Sequence, residues 1–131
     1  MNVVDSSGWI EFLVGGPNAG FFETPLSVQD RLLVPSVIVL EVYHYVLRNE
    51  GREKALSVAA TMHQGRVIDL DTGLAIEAAE LGASHGLPLA DSIVYASALS
   101  YEATLWTQDA DFDGLDHVEY RPRRPLKRGR T

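Results

Sequence analysis

The chain contains no cysteine. That excludes disulfides, thiolate metal sites and a cysteine nucleophile, and it leaves the redox compartment open. No apolar run approaches the roughly 20 residues of a membrane span, so no membrane contact is expected. Met1-Asn2-Val3-Val4-Asp5 has neither a basic stretch nor a long apolar core. No secretory signal is therefore expected, and the cytoplasm is the default location. Walker loop, Gly-x-Ser-x-Gly elbow and dinucleotide fingerprint are all missing, which removes three large enzyme classes. His44, His63, His85 and His117 show no pairing at metal-ligand spacing. Basic residues are scarce as well. Residues 1–120 hold five (Arg31, Arg48, Arg52, Lys54 and Arg66) against all 18 acids, a net charge of −13. Such a body repels nucleic-acid phosphates unless something local neutralises it.

The last eleven residues reverse the sign, with Arg121, Arg123, Arg124, Lys127, Arg128 and Arg130 and no acid. Residues 121–131 therefore read as a basic tail, with Pro122, Pro125 and Gly129 and few apolar residues to order it. It is either a solvated end that aids solubility or a tether for RNA.

What remains is a chain of 131 residues that is 46% hydrophobic, enough for one domain with a real core over residues 1–120. Short β-like runs alternate with helical patterns. Strands are expected at 2–5, 32–34, 67–70 and 105–107, with a weak fifth at 118–120. Helices are expected at 7–14 with Ser6 as N-cap, within 18–29, from 35 to about 49, at 52–63, at 72–84 after a cap by Asp71 or Thr72, and at 89–101. Gly15, Gly51 and Gly86 stand as stops. Strands separated by helices predict an α/β fold, a five-stranded parallel sheet flanked by helices on both faces. In such sheets ligands bind beyond the carboxyl ends of the strands, at a topological switch point.

Four carboxylates occupy positions that suit such a site. Asp5 ends the first apolar run. Glu41 has Val37, Ile38, His44 and Tyr45 as its helical neighbours. Asp91 lies in the opening turn of an apolar helix, and Asp109 follows Leu105-Trp106-Thr107. Each has a plain alternative: a helix cap for Asp5, a bond to Tyr45 or His44 for Glu41, a favourable helix dipole for Asp91, a polar turn for Asp109. Taken together they repel one another unless a cation intervenes. A divalent-metal site acting on phosphate esters is the economical reading. Ser6, Ser7, Ser92 and Thr107 border the acids, where a hydroxyl would orient a carboxylate or a bound water.

The order Val4-Asp5-Ser6-Ser7-Gly8-Trp9, Leu40-Glu41-Val42, Leu89-Ala90-Asp91-Ser92-Ile93-Val94-Tyr95-Ala96 and Leu105-Trp106-Thr107-Gln108-Asp109-Ala110-Asp111-Phe112 resembles a PIN domain. It is most similar to the compact VapC toxins of toxin–antitoxin pairs. The resemblance spans about residues 2–120 and implies a parallel sheet between helices and a Mg²⁺- or Mn²⁺-dependent endoribonuclease. It places the family's acids on Asp5, Glu41, Asp91 and Asp109, its threonine on Thr107 and an additional acid on Asp111. Asp5 and Asp91 are the first choice as ligands, followed by Asp109. Glu41 would bind a second ion or orient the attacking water. Ser6 and Thr107 are auxiliary.

The expected partners are RNA, a cognate antitoxin of the VapB kind, and a second copy of the chain in a homodimer. Trp9, Phe12, Phe21 and Phe22 would line the antitoxin groove, or else fill the core. Trp9, Phe112 and Tyr120 would stack RNA bases, or pack inside. Two other readings stand beside the toxin: a housekeeping RNA-processing enzyme or DNA nuclease of the same fold, and a non-catalytic acidic domain that binds a partner.

Overall fold

The alternating pattern resolves into β1 (Asn2–Val4), α1 (Ser6–Val14), α2 (Ala19–Leu26), β2 (Leu32–Pro35), α3 (Ser36–Glu50), α4 (Arg52–Met62), β3 (Arg66–Ile68), α5 (Thr72–His85), α6 (Leu89–Ser100), β4 (Thr104–Thr107) and β5 (Val118–Tyr120). The structure is a computed structural model and describes residues 1–125. Short 3₁₀ turns occupy Gln29–Arg31 and Ala110–Phe112.

The sheet has the order β3-β2-β1-β4-β5, and every pairing is parallel. The expected α/β class and five-stranded parallel sheet are both present. Parallel strands buried on both faces read as unbroken apolar runs. Val3, Val4, Leu33, Val34 and Leu105 are fully buried in this way. From β1 the chain steps to β2 and β3, then returns past β1 to β4. Because parallel crossovers are right-handed, the two directions of travel put their helices on opposite faces. α1 packs on α2 and α3, α3 on α4, and α5 on α6; α3 also meets α6.

Small residues set the closest approaches. A Cβ on Gly8 would lie 2.6 Å from Phe22 Cδ1 and 2.8 Å from Val4 Cγ1, so only glycine lets α1 press onto the sheet here. Phe22 and Phe112 are both fully buried.

Several boundaries differ from the sequence expectation. The N-cap of α1 is Asp5, not Ser6: its carboxylate accepts the Ser6 N–H. The backbone at Asp5 is extended, which suits a cap following directly on a strand. At α5 the cap is Asp71, which accepts from Leu74 N–H at 2.8 Å. β3 ends at Ile68, where its pairing with Pro35 stops, and leaves Leu70 43% exposed. Of the basic tail, residues 126–131 lie outside the described residues. The start of the tail is tied to the body by polar contacts, among them Arg121 N–H to the Thr107 carbonyl at 3.0 Å.

Candidate metal centre

β1 and β4 are neighbours although about a hundred residues separate them. The order in which the chain visits the strands reverses at β1, which makes their carboxyl ends the topological switch point where such sheets bind ligands. Asp5 and Thr107 stand on its two sides. The Asp5 N–H extends the ladder to the Trp106 carbonyl at 3.0 Å.

Asp5 is 3% exposed and its oxygens are already engaged. Oδ1 accepts from Ser6 N–H at 2.7 Å and Oδ2 from the Thr107 hydroxyl at 2.9 Å; the Ser7 hydroxyl stands farther off at 3.4 Å. Ser6 therefore serves Asp5 through its backbone, and the nearby side-chain hydroxyl is that of Ser7. Thr107 Oγ1 in turn accepts Asp109 N–H at 2.9 Å. A hydroxyl has one proton. Accepting from Asp109 leaves that proton for Asp5, so Thr107 couples the two acids in a fixed geometry. Asp109 Oδ1 accepts Asp111 N–H at 3.0 Å and caps the 3₁₀ turn. This turn carries Asp111 to the site.

Asp91, in the first turn of α6, completes the group. One carboxylate oxygen each from Asp91, Asp109 and Asp111 lies within 4.8 Å of the others. Glu41, half-buried on α3, acts on both Asp5 and Asp91 through its charge. The tightest cluster thus contains Asp111, which the sequence singled out only as auxiliary, while Asp5 and Glu41 stand around it. All four histidines are exposed.

The electrostatics follow from this crowding. Burial pushes Asp5 up to about 6, against the hydrogen bonds from Thr107 and Ser6, which lower it; the charges of Asp109 and Glu41 add to the rise. Asp91 is pushed up to about 7, first by burial and then by Asp109, Asp5, Asp111 and Glu41. Carboxylates that hold protons near neutrality are short of positive charge. The donors are all hard oxygens, with no nitrogen or sulfur, which suits Mg²⁺ or Mn²⁺ rather than zinc or copper. The residues present therefore fit a divalent ion. A cleft of about 500 Å³ elsewhere, beside β3 and lined by Arg66, Asp69, Glu77 and Tyr101, contains none of these acids.

Sequence reasoning overlooked two buried amides next to the site, Asn18 and Gln108. The position of Gln108 between Thr107 and Asp109 was a visible signal. For Asn18, in a turn after Gly15-Gly16-Pro17, there was none.

The profile of the PIN domain family matches residues 3–118. The chain belongs to the PIN domain family. No curated protein matches the sequence. Among solved structures, a toxin–antitoxin complex from Klebsiella pneumoniae is similar at a TM-score of 0.77 and 18% identity, covering 91% of this chain and 96% of that one. The sarcin–ricin loop cleaving toxin VapC20 of Mycobacterium tuberculosis is similar at 0.75 and 21%, covering 93% and 100%. VapBC2 from Rickettsia felis, bound to a DNA fragment from their promoter, reaches 0.68 and 15%, covering 92% and 97%. At these identities the likeness is one of fold, and it extends over the whole PIN domain.

Proposed function

We propose that this PIN domain is the toxin of a toxin–antitoxin pair and acts as a metal-dependent endoribonuclease in the cytoplasm. Residues 1–120 would form the nuclease and 121–131 a basic tail. The observation that carries the reading is the convergence of Asp91, Asp109 and Asp111, with Asp5 and Glu41 around them, at the carboxyl edge of the sheet. The toxins among its structural relatives support the biological role.

In this reading Asp91, Asp109 and Asp111 hold Mg²⁺ or Mn²⁺, and Asp5 supports them. When bound, the ion supplies Lewis acidity toward a phosphoryl oxygen and lowers the pKa of a water molecule. The chain's own residues do the rest. Thr107 aims Asp5 and anchors the Asp109 backbone. Glu41, whose charge reaches Asp5 and Asp91 from α3, would orient a water for in-line attack, leaving a 5′-phosphate and a 3′-hydroxyl. The test is cleavage of a single-stranded RNA with Mg²⁺ or Mn²⁺, its arrest by chelator, and mapping of the ends. Cleavage of DNA of the same sequence instead would favour the DNA-nuclease reading.

The antitoxin groove proposed here is smaller than the sequence implied. Phe22 is in the core, and Phe21 packs edge-on against it with ring centroids 4.9 Å apart. A cleft of about 250 Å³ is lined instead by Trp9, Phe12, Leu26 and Leu32, with Glu23 among its polar residues. The buried Trp9 indole N–H has no acceptor among the described residues, and an antitoxin segment with an acceptor there would satisfy it. Phe12, 38% exposed, is the accessible anchor. Phe12→Asp is expected to weaken antitoxin binding more than about tenfold and to leave RNA cleavage intact, as titration calorimetry and a cleavage assay would show.

Among the RNA-stacking candidates Trp9 and Phe112 are buried, which leaves Tyr120, half-buried on β5. A second copy of the chain is proposed to cover Leu40 and Leu89, exposed apolar neighbours of the site residues at 65% and 77%. Sedimentation would read the dimer. The tail has its own test. Deleting residues 126–131 removes Lys127, Arg128 and Arg130 but keeps Arg124. If these charges tether RNA, the slope of log affinity against log salt is expected to become shallower by about 0.7 per charge, or ~2 in all. An unaltered slope would favour a solubility role.

A further inference from the structure

Asn18 and Gln108 are 1% and 3% exposed, and neither belongs to the carboxylate cluster. A buried amide is tolerated only when its donors and acceptors are met. Here the partners come from distant parts of the chain. Asn18 Nδ2 donates to Gln108 Oε1 and to the Pro122 carbonyl, each at 3.0 Å. Asn18 Oδ1 accepts from Arg124 Nε at 3.1 Å. The other arm of that guanidinium donates to the Pro17 carbonyl at 2.6 Å. The Asn18 backbone N–H donates to Glu11 Oε2 at 2.7 Å. Gln108 Nε2 faces the Ser7 carbonyl and Glu11 Oε1, both at 3.4 Å. Beside this network Arg121 bonds the Thr107 carbonyl and lies 4.7 Å over the Phe21 ring. The segment 121–124 thus straps the turn before α2 to the loop after β4.

We propose that Arg124 is a positioning residue for the carboxylate centre. By fixing the Asn18 amide, and through it Gln108, it holds the loop from Thr107 to Asp111 where Asp109 and Asp111 reach Asp91. The argument is one of orientation. An amide can turn over and exchange its oxygen and nitrogen. Turned over, Asn18 would set Oδ1 against Gln108 Oε1 and the Pro122 carbonyl, acceptor against acceptor. The Arg124 donor on Oδ1 reinforces that orientation, and with its second arm on the Pro17 carbonyl the guanidinium fixes where the amide sits. Gln108 is flanked by the residue that holds Asp5 and by the ligand Asp109, so its placement passes directly to the site. The proposal rests on the metal-centre reading above and adds to it a residue of the basic segment that bonds Asn18 and the Pro17 carbonyl.

The sign of the effect separates this role from simple charge. Removing a cation near an acidic centre would, by charge alone, tighten Mn²⁺ binding. Loss of a positioning contact weakens it. The test uses the full chain and Mn²⁺ alone as the probe, read by electron paramagnetic resonance of free ion, together with hydrogen exchange of the metal-free protein. Arg124→Ala and Arg124→Lys are both expected to weaken Mn²⁺ binding about tenfold, the scale of losses from outer partners of metal ligands. Amide exchange should quicken over residues 107–111 and stay unchanged in β1 and β2. Asn18→Asp, of equal size but without the donors, should do the same. Arg124→Lys with wild-type affinity, or Arg124→Ala with equal or tighter affinity and unaltered exchange, would overturn the proposal. A wild-type chain that binds no Mn²⁺ would overturn the metal reading, while the exchange measurement would still decide the role of Arg124.

Discussion

Asp91→Asn is expected to reduce Mg²⁺- or Mn²⁺-dependent RNA cleavage by more than about a hundredfold. Changes one layer outside a metal's ligands already cost about 10- to 100-fold, and Asp91 lies in the tight cluster itself. An amide oxygen is a neutral, weaker donor to a hard cation. The same substitution should raise the thermal stability of the metal-free protein at pH 8. It removes a charge that burial and four neighbouring carboxylates oppose. Activity and stability then move in opposite directions, whereas a merely damaged fold lowers both. Parallel cleavage assays and melting curves on one preparation decide the matter. Full cleavage by a well-folded Asp91→Asn protein would end the mechanism.

The contribution of Asp5 and Asp91 to the stability of the metal-free protein is expected to fall as pH rises from about 4 to about 8, opposite in sign to ordinary acid denaturation. Asp5 and Asp91 titrate at about 6 and about 7 in the folded chain, against an ordinary 3.8. Between those limits the folded state binds more protons than the unfolded state, so the slope of unfolding free energy against pH is negative. For buried Asp5 the shift corresponds to about 3 kcal/mol. Asp91 is more open to solvent, which screens its share. Above about pH 8 both groups are ionised in either state and the loss levels off. Saturating Mn²⁺ should restore the lost stability at pH 8, because it binds the ionised carboxylates of the folded state. Urea titrations at pH 4.5, 6 and 8, with and without Mn²⁺, read this directly. Taking the difference from Asp91→Asn isolates the Asp91 contribution from other titrating groups. A metal-free stability that climbs steadily from pH 4.5 to 8 in that difference would refute the crowded-carboxylate account.

Much of this was legible along the chain because it is local. Strand runs such as Leu32–Pro35 and helix stops such as Gly51, at φ +92°, depend on neighbours a few residues away. Asp5, Glu41, Asp91 and Asp109 stood out because a carboxylate breaks an apolar run. Asp111 was harder to rank, since its place depends on a 3₁₀ turn capped by Asp109. Phe22 and Phe112 are apolar whether they line a groove or fill a core, and only packing distinguishes the two.

The sequence by itself determined the alternation of strands and helices, the single apolar core, the absence of thiol chemistry and the set of acids available for a metal. Each follows from residue type and short-range periodicity. The tertiary structure alone decided that β1 lies between β2 and β4, so that Asp5 meets Thr107 across a separation of 102 residues. It also decided that Arg124 reaches Asn18 across 106. The strength of proton binding at Asp5 and Asp91 belongs to the same category. It is set by burial and by charges close in space, and neither quantity exists until the chain has folded.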